Sequence, residues 1–247
     1  TLVKEMVQDF EKFVPALKAA NVPHVVKMTV AGLNEVPASF NFEAANDNKT
    51  VDAQLLGSGL SVTIVAATFF ATNALRFQSY TINDHGAFYG SCGDVATAFV
   101  APQDAAEALA ACAMHPAQHK GKTYTITGPV ALKESDTAKL VSQHLGKPVN
   151  YVDIPEDNFV QANLGAGAPK WAVDQMLGLE KMKRAGITAV VSSDTEKLIG
   201  RPAMPFLDAI KQQLLGVKPV LILGSTGEIG CVLTKFMLSR KIPVRLG

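Results

Sequence analysis

The residues best suited to chemistry lie near the C-terminus, where Gly224-Ser225-Thr226-Gly227-Glu228-Ile229-Gly230 follows the apolar run Lys218-Pro-Val-Leu-Ile-Leu223. A glycine at 224 permits a tight turn out of a strand. One at 227 lets a phosphate approach the backbone, and Gly230 lets a following helix pack closely on a sheet. With a strand before it and a helix expected over 228–239, the loop offers free N–H groups and the positive end of a helix dipole to a pyrophosphate. Thr226 and Ile229 line the same turn. A second reading stays open, a glycine-rich turn that binds nothing. Glu228 either stabilises the helix start or, turned inward, repels phosphate, and the sequence does not choose between the two.

The elements that must position such a loop follow from periodicity. Apolar positions Leu2, Val3, Met6, Phe10, Phe13, Val14 and Leu17 predict a helix to about residue 20. A buried strand is expected over 22–30, a helix over 43–57 ending at Gly57, and a second buried strand over 60–65. Beyond these we expect a helix over 103–114, a strand over 122–127, a helix over 134–145 ending at Gly146, and a strand over 149–154. Residues 156–200 read as mixed helix. Strands are expected over 218–223 and 242–246 on either side of the loop and its helix. Such alternation implies an α/β fold, a Rossmann-type parallel sheet with helices on both faces. The expected division is a dinucleotide-binding portion from 1–127 with 217–247, and a smaller cap or substrate region over 128–216.

Bulk properties exclude several classes. Of 247 residues, 48% are hydrophobic and 18% charged, too apolar a balance for disorder. A formal net charge of +1 gives no field to gather nucleic acid, so no nucleic-acid partner is expected. The densest basic cluster, Lys181-Met-Lys-Arg184, reads as a solvated helix face. No charge occurs between Asp52 and Arg76, but Gly57-Ser-Gly59, Thr68, Thr72 and Asn73 divide that stretch, so no membrane span is expected. No export signal is seen at the N-terminus. Three cysteines without short spacing (Cys92, Cys112, Cys231) argue for small buried side chains in a reducing compartment, cytoplasm or an organelle matrix or stroma. His115 and His119 have helix-ligand spacing, but Pro116 interrupts them and no third ligand is near, so a surface turn is the expected reading and no metal is assigned. No Gly-x-Ser-x-Gly elbow is found.

Several segments together resemble the NmrA-like family of atypical short-chain dehydrogenases/reductases, which includes isoflavone-reductase-like and quinone-reductase-like proteins. They are Ala19-Ala-Asn-Val-Pro-His-Val-Val-Lys-Met-Thr29, Lys49-Thr-Val-Asp52, Gly57-Ser-Gly-Leu-Ser-Val-Thr-Ile64, Phe69-Phe-Ala-Thr-Asn73, Gly121-Lys-Thr-Tyr-Thr-Ile-Thr-Gly-Pro129 and Leu145-Gly-Lys-Pro-Val-Asn-Tyr-Val152. The likeness covers nearly the whole chain, in an unusual order. In the family the glycine loop opens the chain, whereas here it follows everything else. A circular permutant lacking part of its sheet, one unit of a tandem array and an incompletely represented chain all account for this. A partner chain or missing segment is expected to complete the sheet, since bare strand edges are unstable.

The resemblance implies binding of NADP or NAD and hydride transfer between nicotinamide and a small carbonyl, quinone or enone substrate. The residue that distinguishes the two nucleotides falls where the sequence stops. The usual Tyr-x-x-x-Lys pair is absent: no tyrosine has a lysine four residues on, and Ala45 stands four before Lys49. Lys49 falls where the family lysine sits, and the resemblance implies that it can serve alone as proton donor or ribose ligand. A solvated helix lysine is the other reading. Thr29 keeps the hydroxyl of a family serine, and Phe69 lies in register with the loop flanking the nicotinamide. Ala66-Ala67 replaces the usual Arg-Pro. The missing tyrosine and this replacement leave an alternative open, a non-catalytic dinucleotide-binding protein serving as redox sensor or structural subunit.

Overall fold

The structure, a computed structural model, describes residues 2–40, 42–215, 220–222 and 244–246. Its centre is a three-stranded parallel sheet in the order β1 (Val25–Val30), β2 (Val62–Ala67), β5 (Thr123–Ile126). β2 is buried at every position, as an apolar run between two parallel neighbours should be. Its alternating side chains serve two layers. Val62 and Ile64 pack with Val51 and Leu55 of α2 (Glu43–Gly57) and with Val7, Phe10 and Val14 of α1 (Leu2–Ala19). Val65 and Ala67 pack on the opposite face with Ala105, Ala108 and Cys112 of α4 (Pro102–Met114).

A second layer lies to one side of this sheet. α3 (Ala71–His85) leads into β3 (Ala87–Gly90), which pairs in parallel with β7 (Asn150–Asp153), while the short β4 (Ala96–Thr97) and β6 (Leu132–Lys133) pair antiparallel. The β3–β7 ladder joins residues from either side of position 127. After β6 come α6 (Glu134–Leu145), α7 (Glu156–Gly165), α8 (Lys170–Arg184), α9 (Asp194–Ile199) and α10 (Phe206–Leu215), with a short α5 (Pro116–His119) before β5. Leu75, Ile82, Phe88, Phe99, Val141 and Ile210 form the core of this layer.

Neither α3 nor α10 is foreseen by periodicity, and the mixed helix expected over 156–200 resolves into α7, α8 and α9. Near the C-terminus, β8 (Val220–Ile222) and β9 (Val244–Leu246) pair with each other in parallel. The glycine loop Gly224, Ser225, Thr226, Gly227, Glu228, Ile229 and Gly230, the helix expected after it and Cys231 lie outside the described residues. Among the described residues, β1 has a strand partner only on its β2 side. Among them, too, no helix is long and apolar enough to cross a membrane.

Candidate functional site

Parallel α/β sheets bind ligands beyond the carboxyl ends of their strands, and a cavity of about 400 Å³ opens there, against Thr29 of β1 and Thr68 just after β2. The segment after β2 forms its floor. Thr68 N donates to Ile126 O at 2.9 Å and Val100 N donates to Phe69 O at 2.9 Å, so Phe69 and Phe70 are held over the sheet end. Phe88, Phe99, Tyr151 and Phe159 add aromatic walls from the second layer. Apolar walls with few polar groups suit a planar organic ligand.

One of those polar groups has no internal partner. Thr29 Oγ1 is buried and makes no hydrogen bond in a cavity wall. Buried hydroxyls are normally satisfied, so Thr29 leaves an unmet hydrogen-bonding group at the strand ends.

The opposite wall is charged. α8 presents Met176, Leu179, Glu180 and Lys183 at helical spacing, and all four line the cavity. Lys183 Nζ lies 3.0 Å from Glu134 Oε1 and 3.2 Å from Glu180 Oε1, with side chains only 14%, 4% and 11% exposed. The same ammonium sits 5.8 Å from the centre of the Phe69 ring, a cation–π distance. Glu180 Oε2 accepts the Ser91 backbone N–H at 2.8 Å. Close approach is possible because residue 90 is glycine: a Cβ there would stand 2.8 Å from both Glu180 Oε2 and the Tyr151 hydroxyl. α8 is seated in turn by Gly178, where a Cβ would meet the Phe42 ring at 2.5 Å. Glu134 opens α6, whose start is tied down by Asp94 accepting from Ser135 N at 2.9 Å and from Ser135 Oγ at 3.0 Å.

Burial sets the electrostatics of this cluster. It pushes the Cys92 thiol up to about 12, so Cys92 is a neutral group 3.4 Å from the Tyr151 hydroxyl and 3.8 Å from Glu134. It also raises the Glu134 carboxyl and the Tyr151 phenol. Lys183 is held charged against burial by Glu134 and Glu180, which lift it above the usual lysine value.

No family model matches the chain. An NAD(P)H azoreductase from Xenophilus azovorans is 30% identical over 211 residues, covering 85% of this chain and 72% of that protein. The chain belongs to the NmrA-like family of atypical short-chain dehydrogenases/reductases. Solved structures carry the same fold. An NADPH-dependent quinone oxidoreductase from Escherichia coli, in complex with NADPH, aligns with a TM-score of 0.73 at 24% identity, over 81% of this chain and 69% of that one. A variant of NmrA aligns with a TM-score of 0.64 at 16% identity, over 83% and 70%. The Rossmann-type α/β architecture of this NmrA-like protein is thereby established.

Of the residues expected from sequence to serve an NmrA-like site, Thr29 and Phe69 lie together on the cavity wall. Lys49 does not line it; its ammonium donates to Val36 O at 3.1 Å. The preceding residue, Asn48, does line the cavity and accepts from Lys27 Nζ at 3.3 Å. The basic cluster on α8 needs correction. Lys181 and Arg184 do face outward, pairing with Glu156 at 3.7 and 2.7 Å, but Lys183 turns inward. The signal was present in spacing, since Glu180 and Lys183 continue the stripe begun by Val173 and Met176. Charged side chains on an apolar stripe mark a buried pair. Of the histidine pair, His119 Nδ1 bonds the Tyr124 hydroxyl at 2.8 Å.

Proposed function

We propose that the chain is an NAD(P)-dependent reductase that transfers hydride between nicotinamide and a small quinone, carbonyl or enone. The single observation that carries this reading is the aromatic cavity at the strand ends, with the unpartnered Thr29 hydroxyl in its wall, in a member of a family whose relatives here are named for NAD(P)H-dependent reduction. The residues fit the nucleotide. Thr29, with an unmet hydrogen-bonding group, and Phe69, with an aromatic ring on the same cavity, would hold the nucleotide and supply it a polar contact and a flat face. In this reading Gly224, Ser225, Thr226, Gly227, Glu228, Ile229 and Gly230 hold the pyrophosphate of NADP or NAD. When bound, the nucleotide supplies the hydride.

The chain's own residues orient and exclude water. Phe69, Phe70, Phe88 and Phe99 hold a planar substrate and keep solvent out. Lys49, whose ammonium is held on the Val36 carbonyl outside the cavity lining, serves as ribose ligand or proton donor only by leaving that bond. The division into a dinucleotide-binding portion (1–127 with 217–247) and a substrate region (128–216) goes with this reading, β3 lending a strand to the latter. A partner chain or missing segment completes the sheet beside β1, and the protein works in a reducing compartment. The test is oxidation of NADPH and NADH by a panel of quinones, with Lys49→Ala in parallel. Turnover that falls in the variant supports the reading. Tight nucleotide binding without turnover of any acceptor overturns it in favour of a non-catalytic binding protein.

A further inference from the structure

The cavity wall opposite the strand ends carries an unbalanced charge. Among the described residues that line it, Glu134 and Glu180 are the carboxylates and Lys183 is the one cation. Asp153, joined to this wall through Tyr151, is also negative; it accepts from Gly93 N at 2.7 Å and from the Tyr151 hydroxyl at 3.2 Å, while Lys27, which reaches Asn48 on the same cavity, is paired with Asp52. Lys181 and Arg184 are engaged with Glu156 on the other side of α8 and do not offset it. Ser91, 1% exposed and adjoining this cluster through its N–H to Glu180, has a hydroxyl with no partner. One ammonium between two carboxylates leaves a surplus negative charge in a low-dielectric wall, and a ligand group of opposite sign or with spare N–H or O–H donors relieves it.

We infer that this wall selects the substrate by charge: the cavity takes planar aromatic acceptors that carry an amino, ammonium or hydroxyl group at the Glu134–Lys183–Glu180 end, and it rejects those with a sulfonate or carboxylate there. The inference rests on the reductase reading for the role of the cavity, but it concerns binding alone. The aromatic walls supply affinity for the ring, and they do not discriminate sign. Discrimination falls to the three charged side chains, since like charges brought together inside an interface are strongly disfavoured.

The experiment is calorimetric binding of three probes to the full chain: naphthoquinone, the same ring with an aminomethyl group, and the same ring with a sulfonate. The wild type is expected to bind the aminomethyl probe at least about tenfold more tightly than the sulfonate. Glu134→Gln and Glu180→Gln, near-isosteric and uncharged, should each narrow that ratio. The comparison of probes on the wild type stands even where a variant does not fold. Equal affinity for the two charged probes overturns the inference, as does a ratio that neither glutamine variant changes. Charge-selective binding without turnover would defeat the reductase reading and leave this one standing. Turnover of quinones without charge preference would do the reverse.

Discussion

Replacing Lys183 by methionine keeps the apolar stem and removes the charge between two carboxylates whose side chains are 4% and 11% exposed. At an effective dielectric of about 20, each contact near 3 Å carries roughly 5 kcal/mol of attraction before desolvation. Desolvation consumes much of this in the wild type, so the net cost of the variant is that of leaving buried charge uncompensated, about 3–5 kcal/mol near neutral pH. For a chain of this length that lowers the melting temperature by roughly 10 °C. The loss depends on pH in a definite direction. Burial already raises the Glu134 carboxyl, and Lys183 pulls it the other way. Without that pull the folded variant holds the Glu134 proton more tightly than its unfolded chain does. Its stability therefore rises as pH falls toward the unfolded carboxyl range, and the gap to wild type narrows in that direction. Thermal and urea unfolding followed by circular dichroism reads both quantities. Adding Glu180→Gln to Lys183→Met should recover part of the loss. A loss below about 1 kcal/mol, or a gap that widens in acid, would refute the buried triad.

Two further substitutions test the frame and the wall of the site. Asp104 is fully buried and accepts from Arg201 Nη2 at 2.7 Å and Met204 N at 2.6 Å, so Arg201→Met should cost about 2 kcal/mol in urea unfolding, less than a fully enclosed pair because the guanidinium is 35% exposed; no measurable loss would show that the backbone donor suffices. Thr29→Val replaces an unpartnered buried hydroxyl with a methyl, which should leave the melting temperature unchanged or raised while weakening NADPH binding about tenfold; unchanged affinity would remove Thr29 from the nucleotide site.

What the sequence disclosed follows from how local each signal is. The α2 helix was legible because Gly57 marks its end, and Ala45, Val51 and Leu55 are the residues it buries. The β2 strand was legible as an apolar run, since both faces are covered. The α3 helix was not: it is polar along most of its length, and Ala71, Leu75 and Ile82 form only a thin buried stripe. The β3 strand has four residues and gains its identity from β7, some sixty positions away, a pairing that no local window contains. At the site, Thr29 and Phe69 could be found through family likeness because they belong to the strand ends. Lys183, Glu134, Glu180 and Cys92 come from three separate segments whose meeting depends on tertiary packing, including the Phe42–Gly178 contact that seats α8. A lysine beside Lys181 and Arg184 looks solvated until its helical phase is compared with that of Met176.

The most direct measurement is isothermal titration of the full chain with NADPH and with NADH, with Gly227→Asp as the control that puts a carboxylate into the glycine loop proposed to hold the pyrophosphate. Saturable, one-to-one uptake of at least one nucleotide, abolished or weakened at least about tenfold by Gly227→Asp, is the predicted result. Absence of heat for both nucleotides, or uptake indifferent to that aspartate, would contradict it.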